Sequence, residues 1–409
     1  MRVPIITALL LVALSVLTDI YIFRDIRQYC LERMRKLWLW LYGISSLVCW
    51  GFIIAFLIIP KRSPDQSILP AMWILYSYIT VYVGKFTYCI FSLLGRLVKR
   101  LSKSSKNRGV IVGSTLSVIL FAVLWYGVLF TRYDIDVRKV DLTSDRLPKS
   151  FDGLKVLQFS DIHVGTWGTD TTFISALVDS INAQNADIVL FTGDIVNRQS
   201  SELIPFKSVL SRIKAKRGVY AILGNHDYSS YVTWPSKEDG VNDFNNLCKT
   251  IREMNWSLLR DGTSFLVENQ DSIAIIGVEN WGKPPFDKLG NLEKAYNNGS
   301  GSKSLNDDLY KILMTHNPDH WNLIVKNISN VNLTLAGHTH AMQCVFKVGN
   351  WRWSPSVFKY KMWGGLHTEK AKDQTPMNLY VNIGAGEVGF PARVADAKPE
   401  LTLFTLHSQ

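Results

Sequence analysis

Two histidines one residue apart, in Gly337-His338-Thr339-His340, follow the apolar run Val331-Asn332-Leu333-Thr334-Leu335-Ala336. Side chains at i and i+2 of an extended segment project to one side, so both imidazoles face one small volume at the carboxyl tip of a strand. Imidazole is the commonest metal ligand near neutral pH. Four more polar clusters close apolar runs upstream: Asp161-Ile162-His163, Gly193-Asp194, Gly224-Asn225-His226-Asp227 and Thr315-His316-Asn317-Pro318. Singly, Asp161 reads equally as a helix cap and Asn225 as a turn residue. Jointly, seven oxygen and nitrogen ligands in order at strand ends point to metal chemistry. A set without thiolate suits Mn, Fe, Zn or Ni rather than Ca or a copper–thiolate centre. A carboxylate shared by two ions about 3.5–4 Å apart makes a clamp for the attacking and leaving oxygens of an in-line displacement.

The elements that must position these clusters alternate. Leu154-Lys155-Val156-Leu157-Gln158-Phe159-Ser160 reads as a buried strand, and residues 170–184 as a helix with Phe173, Ile174, Leu177, Val178 and Ile181 on one face. Asp187-Ile188-Val189-Leu190-Phe191-Thr192 is a second strand. Residues 201–213 read as a helix with Pro205 in its first turn. Gly218-Val219-Tyr220-Ala221-Ile222-Leu223 is a third strand. This β-α-β-α-β order predicts parallel strands covered by helices, and ligands of such sheets bind outside the carboxyl ends of the strands. Further strands are expected over residues 264–267, 273–278, 311–314, 331–336, 379–383 and 400–406, enough for two packed sheets with helices outside.

The blocks Asp161-x-His163, Gly193-Asp194, Gly224-Asn225-His226-Asp227, His316 and Gly337-His338-x-His340 resemble the signature of the calcineurin-like metallophosphoesterases, in that family's order. Gly384-x-Gly386, Pro391-x-Arg393 and Pro399-Glu400-Leu401 resemble the C-terminal segment of the membrane-associated bacterial phosphoesterases within it. The resemblance covers about residues 154–406 and implies a two-sheet αββα sandwich. It implies two divalent metal ions (Mn, Fe or Zn), one on Asp161, His163, Asp194 and His340, the other on Asp194, Asn225, His316 and His338. Asp194 is then the bridge. His226 donates to the phosphate or the leaving oxygen and is held by Asp227. The implied reaction is hydrolysis of a phosphoester by metal hydroxide, with no covalent phosphoenzyme. Ala341-Met342 stand where the family usually has Gly-Gly. Arg393 is a candidate for a substrate phosphate through its planar fork, or else a structural ion pair.

The first third of the chain is of another kind. Residues 1–131 hold 15 Lys+Arg against 4 Asp+Glu, whereas the rest holds 30 of each. That distribution argues against a nucleic-acid-binding face on the second part; no nucleic-acid polymer is expected as a partner. Residues 3–23, 38–59, 68–94 and 110–130 are apolar and long enough to span a bilayer core, which needs about 20 residues. The connection 24–36 carries five Lys+Arg and 95–109 carries six, against two in 60–67. The positive-inside rule puts the first and third connections in the cytoplasm, and so everything after residue 130 outside it. We therefore expect a transmembrane domain of four helices (1–131), a linker or leading strand (132–153) and a phosphoesterase domain (154–409) in a multi-pass cell (inner) membrane protein. Its partners are the lipid bilayer and a phosphoester substrate, lipid-linked or envelope-derived. The alternatives are a nucleotide or cyclic-nucleotide phosphodiesterase and a non-catalytic membrane scaffold with a vestigial metal site.

Three other features stand out. Lys85 lies inside the third apolar stretch and reads as a residue snorkelling to the cytoplasmic face. Cys248 and Cys344 read as buried thiols, with a disulfide as the alternative. Trp351, Trp353, Phe358, Tyr360 and Trp363 with Lys359 and Lys361 form an aromatic–basic stretch, suited to an interfacial belt, a substrate wall or core packing.

Overall fold

The structure is a computed structural model that describes residues 5–103, 106–300, 305, 307–371 and 374–409. The chain divides into two compact units, one of residues 1–61 and 68–129 with 389–392, the other of 62–67, 130–388 and 393–409.

The first unit is helical: α1 (Ile5–Tyr29), α2 (Glu32–Ile58), α3 (Leu69–Leu101) and α4 (Gly109–Leu129). Among the described residues, three helices are long and apolar enough to cross a membrane, α2, α3 and α4. Glycine lets α3 and α4 approach: a Cβ on Gly109 would lie 2.0 Å from the Phe91 carbonyl oxygen, the close backbone contact that small residues permit between membrane helices. Lys85 does not snorkel. Its ammonium is 9% exposed and lies 2.8 Å from Asp19 Oδ1 on α1. Asp19 also accepts from Tyr42 (2.6 Å), Ser46 (3.2 Å), Trp50 (3.2 Å) and Tyr82 (2.8 Å). Lys85 thus faces the bundle interior and pairs there, as ionisable residues within membrane helices usually do.

The second unit is a layered sandwich. Its elements are β1 (Asp136–Ser144), β2 (Leu154–Phe159), α5 (Thr172–Ala183), β3 (Ile188–Phe191), α6 (Lys207–Leu210), β4 (Val219–Ala221), α7 (Lys237–Glu253), β5 (Trp256–Leu258), β6 (Gly262–Glu268), β7 (Asp271–Gly277), α8 (Leu292–Ser300), β8 (Tyr310–Met314), α9 (Lys326–Ile328), β9 (Leu333–Ala336), β10 (Cys344–Val348), β11 (Trp351–Trp353), β12 (Gly365–Lys370), β13 (Pro376–Val381), β14 (Val394–Ala395) and β15 (Glu400–Ser408). One six-stranded sheet has the order β1-β15-β2-β3-β4-β5, the other β12-β13-β9-β8-β7-β6, and β11-β10-β14 form a small third sheet. β2 to β5 are mutually parallel, as are β7, β8, β9 and β13; antiparallel β6 and β12 edge the second sheet, and β15 meets β2 antiparallel.

Strand alternation explains the layers. On β2, Leu154 and Val156 enter the apolar layer between the sheets, where they meet Ile312, Met314, Leu333 and Leu335. Leu157 and Phe159 point the other way, to Ile174, Leu177 and Val178 of α5 and Leu247 and Ile251 of α7. The outer face of the second sheet packs Ala274, Ile276 and Leu313 on Ala295, Tyr296 and Trp321. Strands buried on both faces read as near-continuous apolar runs, the pattern of β2, β3, β8 and β9. Residues 136–144 form a full strand, paired in parallel with β15 from Asp136↔Glu400 to Ser144↔Ser408.

The expected helix over 201–213 is shorter. A 3-10 segment, Ser200–Phe206, contains Pro205 and gives way to the four-residue α6; proline has no N–H for the helical ladder. Cys248 and Cys344 are both free thiols.

Candidate metal centre

The carboxyl ends of β2, β3, β8 and β9 converge. Asp161, His163 and His340 form one group whose ligand atoms lie within 4.8 Å of one another; Asp194, His316 and His338 form a second. In the first, His340 Nε2 is 3.2 Å from Asp161 Oδ1 and 3.1 Å from His163 Nε2. In the second, His316 Nε2 is 3.1 Å from Asp194 Oδ2 and 3.2 Å from His338 Nδ1. The same Asp194 Oδ2 lies 3.5 Å from His163 Nε2, so one carboxylate oxygen touches both groups.

Backbone conformation aims these side chains. Asp161 (φ 53°), His163 (45°), Asp194 (61°), His338 (73°) and His340 (49°) all have positive φ, a left-handed conformation uncommon outside glycine and enriched in Asn, Asp and His. Such residues persist only where their surroundings over-determine them. Here glycines make room: a Cβ on Gly337 would lie 2.3 Å from Asp161 Oδ2, and one on Gly224 2.2 Å from Asp194 Oδ1. Ala341 (50°) and Met342 (48°), at the place of the family's glycine pair, keep the left-handed path despite their side chains.

Outer contacts fix the rings. His163 Nδ1 donates to the Val196 carbonyl (3.0 Å) and His316 Nδ1 to the Thr192 carbonyl (2.8 Å). Each bond leaves Nε2 facing the centre, the arrangement that sets tautomer and orientation in metal-binding histidines. His338 Nε2 lies 2.8 Å from the Tyr360 hydroxyl. Burial opposes charge on Asp161, but the His340 imidazole brings it below the usual carboxylate range. Burial and the His226 ring push His163 well down. Burial and His316 do the same to His338. Burial pulls His316 down too, yet the Asp194 carboxylate raises it to about 9. Two carboxylates held ionised beside His163 and His338, both pushed toward the neutral form, suit a divalent cation, which on binding would displace the proton that Asp194 holds on His316.

The third cluster adds two residues. Asn225 donates from Nδ2 to the Tyr231 hydroxyl (2.8 Å), while its Oδ1 is buried with no hydrogen-bond partner. A buried acceptor left open is costly, and a cation is a partner that this oxygen fits. The residues present therefore fit divalent metal. His226 Nδ1 donates to the Asn197 carbonyl (2.6 Å), and the ring meets His163 edge-on at 4.8 Å between centroids.

Two expectations need correction. Asp227 does not hold the His226 ring. Its carboxylate accepts from the backbone N–H groups of Asp194 (2.8 Å), Ile195 (2.9 Å), Val196 (3.3 Å) and Gly224 (2.9 Å), so it shapes the turn that presents Asp194. Burial and the Asp194 charge push it up to about 7. Arg393 is not open to a substrate. It is fully buried, and its N–H groups donate to the carbonyls of Ile383, Gly384, Gly386, Ala397 and Lys398. It knits the loop between β13 and β15. Tyr360, from the aromatic–basic stretch, touches the cluster at His338; Tyr231 touches it at Asn225 and carries no sequence signal beyond its nearness to that motif.

Comparison with known families matches both parts of the chain. A family model described as "Calcineurin-like phosphoesterase" matches residues 154–342, and one described as "Probable Calcineurin-like phosphoesterase, transmembrane domain" matches residues 1–132. The chain carries a calcineurin-like phosphoesterase domain together with a transmembrane phosphoesterase domain. Among its relatives, "Uncharacterized metallophosphoesterase YkuE" of Bacillus subtilis is 29% identical over 76% of this chain and 99% of its own. "Transmembrane protein with metallophosphoesterase domain" of Danio rerio is 28% identical over 81% of this chain and 72% of its own. "UDP-2,3-diacylglucosamine pyrophosphatase LpxG" of Chlamydia muridarum is 26% identical over 68% of this chain and 93% of its own. The chain thus joins a helical membrane region to an α/β domain whose strand ends carry the candidate metal residues.

Proposed function

We propose that this protein hydrolyses a phosphoester of a lipid-linked or envelope-derived substrate with two divalent metal ions. Asp161, His163, Asp194 and His340 would hold one ion, and Asp194, Asn225, His316 and His338 the other. The observation that carries the reading is the position of Asp194 Oδ2, 3.5 Å from His163 Nε2 and 3.1 Å from His316 Nε2. A metal pair so held supplies a Lewis acid and lowers the pKa of water.

His226 is free of both groups of ligands. With Nδ1–H fixed on the Asn197 carbonyl, its Nε2 is the atom that carries or delivers a proton. We assign it the leaving oxygen or a phosphoryl oxygen; general acid help of this kind contributes about 10²–10⁴-fold. Asp227 acts on the backbone that presents Asp194. A diacylglucosamine pyrophosphatase among the relatives supports an acylated substrate.

We place the catalytic domain outside the cytoplasm. Besides the loop charges, residues 62–67, between α2 and α3, belong to the same compact unit as the catalytic domain. Arg198 donates to the Gln66 carbonyl (2.5 Å) and Gln199 to the Pro64 carbonyl (2.9 Å). α3 and α4 lie between that segment and the domain, and two crossings return the chain to one side.

Full-length protein reconstituted with Mn, Fe or Zn and assayed on nitrophenyl mono- and diesters, acylated phosphoesters and nucleotides tests this reading. Turnover that is abolished by chelation and restored by metal is the expected result. No turnover on any of these with any metal would sink it, and a clear preference for nucleotides would replace the substrate class.

A further inference from the structure

Beyond His340 the chain builds an exposed ridge. β10 and β11 pair as a hairpin with Val348 opposite Trp351. Its two-residue turn starts at Gly349, φ 59°. A 3-10 turn, Pro355–Phe358, follows. Val348 is 72% exposed, Trp351 58% and Phe358 84%. Among the described residues, seven of the fourteen exposed large hydrophobics beyond residue 131 lie between 342 and 366. This is a local concentration, not the scatter normal for a surface.

Charge is segregated in the same place. Residues 341–366 contain Lys347, Arg352, Lys359 and Lys361 and no Asp or Glu, in a second part whose charges balance as a whole. Lys347, Lys359 and Lys361 are exposed. Asp396, outside the segment, pairs with Arg352 (3.5 Å), which leaves the three exposed lysines; aromatic side chains that stand in water beside lysines, in a segment without a carboxylate of its own, have the composition of one lying in the interface of an anionic leaflet. A site for a protein partner would show the apolar patch without needing those exposed lysines, and this chain also carries helices long and apolar enough to cross a membrane.

The ridge is tied to the metal centre. Tyr360 lies 2.8 Å from His338 Nε2 through its hydroxyl, and Thr339 donates to the Trp363 carbonyl (2.6 Å). Lys359 Nζ stands 5.0 Å over the Phe286 ring, which itself meets His338 edge-on at 4.6 Å. From Phe358 to His338 the path is an exposed apolar tip, a lysine, then a metal-ligand candidate.

We propose that this ridge seats in the headgroup region of an anionic phospholipid bilayer and delivers an acylated phosphoester to the metal centre, its chains staying in lipid and its phosphate passing Lys359. This rests on the proposed function for its substrate, but not for its membrane contact. The test uses the full chain in nanodiscs of anionic phospholipid, with and without brominated acyl chains that quench tryptophan on contact. The emission difference between wild type and Trp351→Phe reports Trp351 alone and is expected to fall at least twofold in brominated discs. In parallel, Phe358→Ser is expected to lower the ratio of the rate on a disc-embedded diacyl phosphoester to the rate on a water-soluble nitrophenyl ester by about tenfold. An unquenched Trp351 overturns the proposal, as does an unchanged ratio. Self-association that Phe358→Ser abolishes would assign the ridge to a second copy and overturn it too. If the wild type cleaves neither substrate, the functional reading fails while quenching still decides the membrane contact.

Discussion

The ring of His226 lies face to face with that of Tyr231, centroids 4.1 Å apart and planes within 4°. The same tyrosine, through its hydroxyl, takes the Nδ2 hydrogen of Asn225. One side chain therefore orients both residues of the Asn225-His226 pair, the amide by a hydrogen bond and the imidazole by stacking. The two roles separate by substitution. Tyr231→Phe keeps the stack and loses the bond to Asn225, so metal affinity should fall about 10–100-fold, as for other outer-shell partners of metal ligands. Tyr231→Ala should lose turnover beyond that, even at saturating metal. Equal metal affinity in wild type and Tyr231→Phe, measured by competition with a chelator, would remove the tyrosine from this role.

His226→Ala should keep both metals and lose about 10²–10⁴-fold in rate, more for alkyl phosphates than for nitrophenyl esters. A nitrophenolate leaves without a proton; an alkoxide does not. Loss of a metal would make His226 a ligand. An equal loss on both substrates would move its role to the phosphoryl oxygens.

Sequence and structure agree best where one residue type has one job. Asp161, His163, Asp194, His316, His338 and His340 each close an apolar run, and the runs are strands of two-sided burial, so period and punctuation locate them. What escaped is what depends on tertiary partners. Arg393 looks like a phosphate fork in sequence; only the folded loop reveals that backbone carbonyls take its donors. Asp227 follows His226 directly, yet a turn aims it at the backbone of residues 194–196. α7 is the exception: a capping box, Ser236 with Asp239, and Phe244, Leu247, Cys248 and Ile251 at helical spacing mark it locally, although it is not among the elements expected above. Lys85 has its counter-ion 66 residues away on α1, beyond the reach of any local pattern.

That pair gives a stability prediction. Removing one partner of a buried ion pair leaves the other uncompensated, typically at about 3–5 kcal/mol. Asp19 is 15% exposed and keeps four other donors, so Lys85→Met should cost less than that range but still lower the thermal midpoint in detergent. Asp19→Asn combined with Lys85→Met should recover part of the loss. A midpoint lower in the double variant than in Lys85→Met would show that no such pairing exists.

The phosphoesterase domain should also weaken in acid through His320. This residue is 1% exposed, lies under the Trp281 ring (4.9 Å between centroids) and has Nδ1 3.0 Å from the Thr315 hydroxyl. Burial pushes it down to about 3, against about 6.5 in an unfolded chain. Above pH 6.5 neither state is protonated, and the neutral ring costs nothing. Below it the unfolded chain takes up a proton that the folded one refuses, so stability falls as pH drops from 6.5 toward 3, with a slope of up to about 1.4 kcal/mol per pH unit. His320→Gln should flatten that limb of a midpoint-versus-pH curve by the same slope; an unchanged limb would mean that His320 is not held neutral.

The shared carboxylate is the claim on which the rest of the site depends. Metal analysis of wild type and Asp194→Asn, taken with turnover on a nitrophenyl diester, tests it most directly. Asp194 Oδ2 touches both groups of ligands, and an amide offers each a weaker, uncharged oxygen. The expected result is two ions per chain in the wild type, one or none in Asp194→Asn, and turnover lost with the metal. Two ions per chain and wild-type turnover in Asp194→Asn would contradict the account.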